Sequence, residues 1–178
     1  MDGTIVIKMN IVIPALVFGM VIYKVVRRLK EGAKLFPPEY VFMILFIQSL
    51  LHFYFPIKQI IYYPYTLLGL LALIIRYGSR HYIRSAFDCH NTTIRPLEKS
   101  TFLFTTGIYG YVRNPIYLIM TIFLVGTAVL FGSLSPLLIV PVFPLFVNYR
   151  FVRFEERILE ETFGEEYLQY KKKVRRWV

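Results

Sequence analysis

Cysteine is nearly absent: one thiol, Cys89, in 178 residues excludes an intrachain disulfide. The three histidines, His52, His81 and His90, are scattered and show no metal-ligand spacing with that cysteine, so no metal site is expected. Nor does one sequence offer an activating constellation for a nucleophilic thiol. Acidic residues are few, 11 against 21 Lys and Arg, leaving a net charge of +10. Charge of either sign is missing altogether from residues 114–149, a stretch too long for one membrane span and about right for two. No small-residue cleavage site follows the first apolar run, and basic charge is heavier after that run than before it, which disfavours a secretory signal.

What is present is apolar. Hydrophobic residues make up 56% of the chain and aromatics 17%, more than a soluble domain of this size can bury. Charged blocks divide the chain into apolar runs, and the reading is an all-α integral membrane protein: one domain with about five transmembrane helices. The expected spans are residues 9–26, 40–56, 62–77, 115–133 and 136–150, followed by a cytoplasmic tail at 151–178. Gly132, Ser133, Leu134, Ser135 and Pro136 supply a turn between the last two spans, folding them into a tight hairpin. The ends at Arg113 and at Glu155 and Glu156 thus return to one membrane face. Of the 21 basic residues, 19 fall on one side of this arrangement, with Lys8 and Lys58 on the other. The N-terminus is therefore expected outside and the C-terminus in the cytoplasm. Because the charge follows topology and lacks a compact aromatic-basic surface, nucleic acid is not an expected partner.

Local signals refine this. Pro115 removes a backbone donor and biases Asn114 away from helical angles, so a helix should start there with Asn114 as its cap. Free amides at such a start can bind an anionic or polar group. Phe151, Phe154, Ile158 and Leu159 share a helical face beyond the fifth span, Gly164 ends that helix, and a second one begins at Glu165 and closes in Lys171, Lys172 and Lys173. Arg76, Arg80 and Arg84 recur at helical spacing where span three emerges, a basic stripe suited to anionic head groups, either for anchoring or for steering a lipid substrate. Residues 85–106 read as a polar, irregular interface loop. Taken alone, the aromatic and basic residues around 107–117 read equally as a binding turn or as interface anchors. Taken alone, Glu155 and Glu156 read as a solvated helix face.

Two patterns weigh against those plainer readings. Gly107-x-Tyr109-x-x-x-Arg113-Asn114-Pro115-x-Tyr117 is followed one hairpin later by Glu155-Glu156-x-x-Leu159-x-x-x-Phe163-Gly164-x-x-Tyr167-x-x-Tyr170. In this order and spacing the pair resembles the isoprenylcysteine carboxyl methyltransferase and phospholipid N-methyltransferase superfamily, over roughly residues 76–177. Thr92, Thr93 and Pro96, with the strip from Thr101 to Gly107, continue the resemblance.

The resemblance implies an S-adenosylmethionine-dependent methyltransferase. Its cytoplasmic cofactor pocket would be formed by the loop before the fourth helix and the C-terminal helical tail, and a lipophilic acceptor would enter from the bilayer. The implied cofactor-binding residues are Thr101, Phe102, Leu103, Phe104, Gly107, Tyr109, Arg113, Asn114, Pro115, Ile116, Tyr117, Glu155 and Glu156. Glu155 would face the donor's cationic end, and Tyr109 and Tyr117 would pack around it. Eukaryotic prenylcysteine enzymes have His where this chain has Asn114. They also have a substrate-orienting Arg where it has Phe151, so Arg150 and Arg153 are the candidates for that catalytic role. The Asn variant and the short chain point to a bacterial or archaeal plasma membrane. An isoprenylcysteine-like carboxylate and a phospholipid amine both remain open as acceptor. A nicotinamide-dependent reductase of the sterol-reductase type and a non-catalytic membrane protein are the alternatives.

Overall fold

The computed structural model describes residues 36–57, 63–92 and 100–177, with a few positions between 19 and 30. These described residues are helical, without a named strand. Helix α1, Pro37–Tyr54, starts on a proline and is closed at its N-terminus by Glu39, whose Oε2 accepts from the Phe36 amide at 2.9 Å. Helix α2, Tyr63–Cys89, runs 27 residues. After a 3₁₀ turn at Gly107–Gly110 comes α3, Pro115–Leu130. The chain then turns at Gly132, whose φ of 74° favours glycine, into a helical rod from Ser135 to Phe163.

Prolines segment that rod. Pro141 and Pro144 lack the amides a continuous ladder needs, and the chain forms α4, Ser135–Ile139, and α5, Val142–Val147. A π turn at Asn148–Val152 leads into α6, Arg153–Phe163. Gly164, at φ 51°, stops α6, and α7, Glu165–Lys173, follows.

Among the described residues one helix, Ser135–Phe163, is long and apolar enough to cross a membrane, and Pro115–Leu130 is a shorter apolar helix. They contain most of the two spans expected at 136–150 and 115–133. Residues 40–56 and 62–77 fall largely in α1 and α2. These are less uniformly apolar, since α1 opens on two prolines and Glu39 while Arg76, Arg80 and Arg84 extend along α2. The span expected at 9–26 lies mostly outside the described residues.

Two expectations need correction. The stretch from Ser85 is not irregular: α2 continues to Cys89, supported by an Arg84–Asp88 pair at 3.8 Å. It ends where Asn91 adopts φ 48° and the Thr92 amide reaches back to the Phe87 carbonyl. Phe151 and Phe154 also part company, 2% and 45% exposed. The π turn adds a residue to the helical circuit just before Phe154, so the facing inferred from regular spacing does not hold through it.

Helices α2 and α3 approach almost backbone to backbone. A Cβ on Gly126 would lie 2.3 Å from the Ala72 Cβ, and one on Gly69 would lie 2.9 Å from the Gly126 carbonyl oxygen. On its other side α3 contributes Met120, Leu124 and Ala128 to a core shared with Val41 and Ile44 of α1 and with Phe143 and Val147 of α5. At the end of the bundle holding the 131–134 turn, fully buried Gln48 donates to the Leu124 carbonyl at 2.9 Å and accepts from Thr127 at 3.0 Å. Nearby, His52 and Ser133 bond at 2.9 Å. These contacts tie α1 to the α3–α4 hairpin without leaving the Gln48 amide unmet.

At the opposite end the chain terminus lies along the loop before α3. Val112 and Arg175 form a parallel bridge, the Arg113 amide donates to the Arg175 carbonyl at 2.9 Å, and the Tyr170 hydroxyl donates to the Tyr109 carbonyl at 2.6 Å. Arg176 grips Glu156 with two hydrogen bonds, 2.9 Å from Nε and 2.6 Å from Nη2, while Arg113 approaches the same carboxylate at 3.3 Å.

Two predictions follow from this packing. Gly126→Val forces the α2–α3 contact apart and should cost about 3 kcal/mol of unfolding free energy. Gly78→Ala, where nothing lies within 4 Å of the added carbon, should be neutral or slightly stabilising. Unfolding by denaturing detergent reads both. By the same assay Glu156→Gln, which strands the buried Arg113 guanidinium, should cost about 3 kcal/mol. Arg176→Gln should cost less, because the Arg176 side chain is 32% exposed against 9% for Arg113.

Candidate functional site

Between the start of α1, the α2–α3 pair, α6 and α7 lies a cavity of about 1060 Å³, and the terminal strap that follows α7, residues 174–177, does not reach its lining. That is ample for a drug-sized ligand with room to spare. The hairpin explains its location: α3 begins at its floor, the rod returns from the far end, and α6 delivers Glu155 beside the start of α3. There the Tyr117 hydroxyl donates to Glu155 Oε1 at 2.6 Å across 38 residues of sequence. No cation among the described residues pairs with Glu155. Its neighbour Glu156 also lines the cavity, but its carboxylate is taken up by Arg113 and Arg176. That carboxylate raises the pKa of Arg176, chiefly through the hydrogen bond.

An aromatic wall faces Glu155. Phe104 stacks on Phe87 with centroids 4.5 Å apart and on Tyr109 at 5.4 Å, while Phe102 meets Phe104 edge-on at 4.9 Å. Leu103, also on the lining, packs with Tyr167 and Tyr170 of α7. Burial first, then Tyr170 and Glu155, raise the Tyr109 pKa, so its hydroxyl stays neutral at ordinary pH. Tyr167 is likewise raised by burial and by Glu156, against the lowering influence of Arg113.

Asn114 caps α3 through its backbone, its carbonyl accepting from the Leu118 amide at 3.2 Å. Its side chain makes no cap, leaving a buried Nδ2 without a partner. Arg113 Nε and Nη1 are also buried without hydrogen-bond partners, although the latter lies near Glu156. Unmet buried donors are uncommon in folded proteins and invite an acceptor from a ligand. A carboxylate without a cationic partner among the described residues, flat aromatic faces and the unpartnered Asn114 Nδ2 in one cavity together suit a ligand with a cationic part and a flat ring.

The residues singled out from sequence are distributed unevenly. Phe102, Leu103, Phe104 and Tyr109 line the cavity, as do Arg113, Asn114, Pro115, Ile116 and Tyr117, and Glu155 and Glu156. Thr101 and Gly107 do not line it. The Thr101 amide donates to the Thr92 hydroxyl at 3.0 Å, closing the loop after α2, and Gly107 supplies a φ of 60° for the turn. Arg150 and Arg153 are exposed and lie outside the lining, with Arg150 over the Phe151 ring at 5.9 Å and Arg153 over Tyr149 at 5.5 Å. Phe87 and Ile83 of α2 join the wall without having been anticipated. Their i,i+4 spacing was the available signal, obscured by reading residues from 85 onward as loop. The role of Arg176 had no signal beyond its charge.

Part of this sequence is shared with known proteins. Residues 64–166 match the family model for phospholipid methyltransferase. Protein-S-isoprenylcysteine O-methyltransferase of Schizosaccharomyces pombe is 34% identical over 113 residues, 63% of this chain and 48% of that protein. The Saccharomyces cerevisiae protein of the same name is 34% identical over 115 residues, 61% of this chain and 46% of that one. An uncharacterized Haemophilus influenzae protein is 39% identical over 62 residues, 35% of this chain and 98% of its own length. The chain thus spans about half the length of the two yeast relatives it matches. The matched segment runs from the start of α2 to the first turn of α7 and contains the Tyr117–Glu155 contact, so the chain belongs to the phospholipid methyltransferase family, within the superfamily that includes the isoprenylcysteine methyltransferases.

Proposed function

We propose that this protein is an integral-membrane methyltransferase that uses S-adenosylmethionine to methylate a lipophilic acceptor, an isoprenylcysteine-like carboxylate or a phospholipid amine. The observation that carries the reading is the Glu155 carboxylate, fixed by Tyr117 at 2.6 Å and facing the cavity without a cationic partner among the described residues. A carboxylate in such a place favours a ligand bearing positive charge. The names of the two yeast relatives support both the chemistry and the apolar acceptor.

When bound, S-adenosylmethionine supplies a methyl group on a cationic sulfur. The chain's own contribution is placement. Tyr117 holds the Glu155 rotamer, Glu155 offsets positive charge, and the face of Phe104 and Tyr109 accepts a flat ring. Asn114 Nδ2 offers a hydrogen bond at the start of α3. Glu156, committed to Arg113 and Arg176, acts as a positioning residue that locks the terminal strap over the Tyr109 turn. Excluding water and holding the reacting groups close together account for much of what a transfer of this kind needs. Arg150 and Arg153 stay candidates for orienting the acceptor only if the exposed face of the π turn meets it. We place the chain in the membrane with five spans, N-terminus outside, and the cavity at the cytoplasmic face, on the strength of the Lys and Arg distribution.

The test is calorimetric titration of the detergent-purified protein. S-adenosylmethionine should bind in the micromolar range, and Glu155→Gln should weaken it about tenfold with the unfolding midpoint retained. Tyr117→Phe should weaken it less, since the carboxylate remains. Binding of NADPH in place of S-adenosylmethionine would overturn the reading in favour of a reductase.

A further inference from the structure

The helical rod from Ser135 to Phe163 has a second face, away from the cavity. Leu138, Val142 and Leu145 stand exposed along it at helical spacing, followed by Tyr149 and then by Arg150, Arg153 and Arg157. None of these residues lines the cavity. From Leu138 to Tyr149 the face runs about 16 Å at the usual helical rise, close to half the thickness of a hydrocarbon core of about 30 Å. It therefore passes from apolar side chains through a tyrosine of the interfacial kind to a cluster of positive charge.

The three arginines have no counter-charge among the described residues. The acids of α6 are engaged elsewhere: Glu155 with Tyr117, Glu156 with Arg113 and Arg176, and Glu160 with Lys171. Glu161, exposed one turn beyond Arg157, makes no ion pair with it. Like charges at i, i+3 and i+7 repel on one helix face. Aromatic rings nevertheless hold two of them in place, Arg150 over Phe151 at 5.9 Å and Arg153 over Tyr149 at 5.5 Å. A guanidinium stacked by its face keeps its N–H edge free, and that fork matches the oxygens of a phosphate. Phe154, exposed just beyond the π turn, adds apolar surface at the same level. An apolar stripe that ends in unpaired guanidinium groups is complementary to a phospholipid whose head carries net negative charge.

We propose that an anionic phospholipid of the cytoplasmic leaflet docks on this face, its phosphate held by Arg150, Arg153 and Arg157 and one acyl chain laid along Leu145, Val142 and Leu138. This rests on the membrane placement given above and adds a lipid class to it. The lipid is a resident one and not the methyl acceptor, since the face lies outside the cavity. Arg150 stands within the π turn, Arg153 and Arg157 beyond it. One anion bound between them braces α6, the helix that carries Glu155 and Glu156, against the membrane part of the rod.

The test is native mass spectrometry of the full chain in neutral detergent, titrated with dioleoyl phosphatidylglycerol or dioleoyl phosphatidylcholine. Both lipids carry a phosphate, but the choline ammonium offsets it in the second. Phosphatidylglycerol has neither amine nor carboxylate, so it is an acceptor of neither class considered above. It should bind about tenfold tighter than phosphatidylcholine and raise the thermal unfolding midpoint. R150Q/R153Q/R157Q should bring the two lipids within about twofold. K172Q/K173Q/R175Q, which removes the same charge from exposed positions of the tail, should keep most of the preference. If the arginine triple variant does not fold, R157Q alone should still remove about threefold of it. No preference in the native protein, or a preference that survives the arginine substitutions, would overturn the proposal. So would an equal loss in both triple variants, which would assign the effect to net charge. Release of the chain from cell membranes by alkaline carbonate would instead overturn the membrane placement, whereas a chain that stays inserted without the preference counts against the lipid site alone.

Discussion

The Glu156 carboxylate, held between Arg113 and Arg176, is the contact on which the functional end of this fold depends. It is 5% exposed, and a charge so buried is tolerable only because guanidinium groups from two separate segments meet it. Those segments are the loop ahead of α3 and the chain terminus beyond α7, and Glu156 itself sits on α6. One side chain therefore fixes three elements at one end of the cavity, whose walls are completed by α1, α2 and α3. The Val112–Arg175 bridge and the Tyr170 hydrogen bond to the Tyr109 carbonyl reinforce the same closure.

With Glu156 spent on structure, Glu155 one residue earlier lines the cavity, bonded to the Tyr117 hydroxyl. Adjacent residues on a helix project about 100° apart, which lets one carboxylate enter the strap and its neighbour meet Tyr117. The division of labour between paired acids is geometric. It also explains how a strongly basic chain can keep one carboxylate without a cationic partner among the described residues: local pairing, not net charge, decides what each region lacks.

Much of this was legible from the sequence because it rests on residues with few conformational choices. Pro115 starts α3, Gly132 turns the hairpin and Gly164 stops α6, so the meeting of Arg113 to Tyr117 with Glu155 and Glu156 could be read from turn chemistry and a charge-free stretch. Register was less accessible. The π turn at Asn148–Val152 has no compositional mark, yet beyond it Phe154 is exposed instead of continuing the face of Phe151. The extension of α2 through Ser85 was masked by polar residues that the Arg84–Asp88 pair makes compatible with a helix. Gln48, buried with its amide bonded, ties α1 to α3 through contacts that no sequence pattern marks. Contacts made by the terminus, Arg176 above all, depend on three-dimensional closure and leave no periodic trace.

The central claim is that Glu155 receives the positive end of a methyl donor inside this cavity. A structure of the detergent-purified protein bound to S-adenosylmethionine tests it most directly. The account predicts the donor's ammonium or sulfonium within roughly 4–6 Å of the Glu155 carboxylate, with its purine against Phe104 or Tyr109. A donor bound elsewhere, or bound with its cationic end away from Glu155, would contradict it.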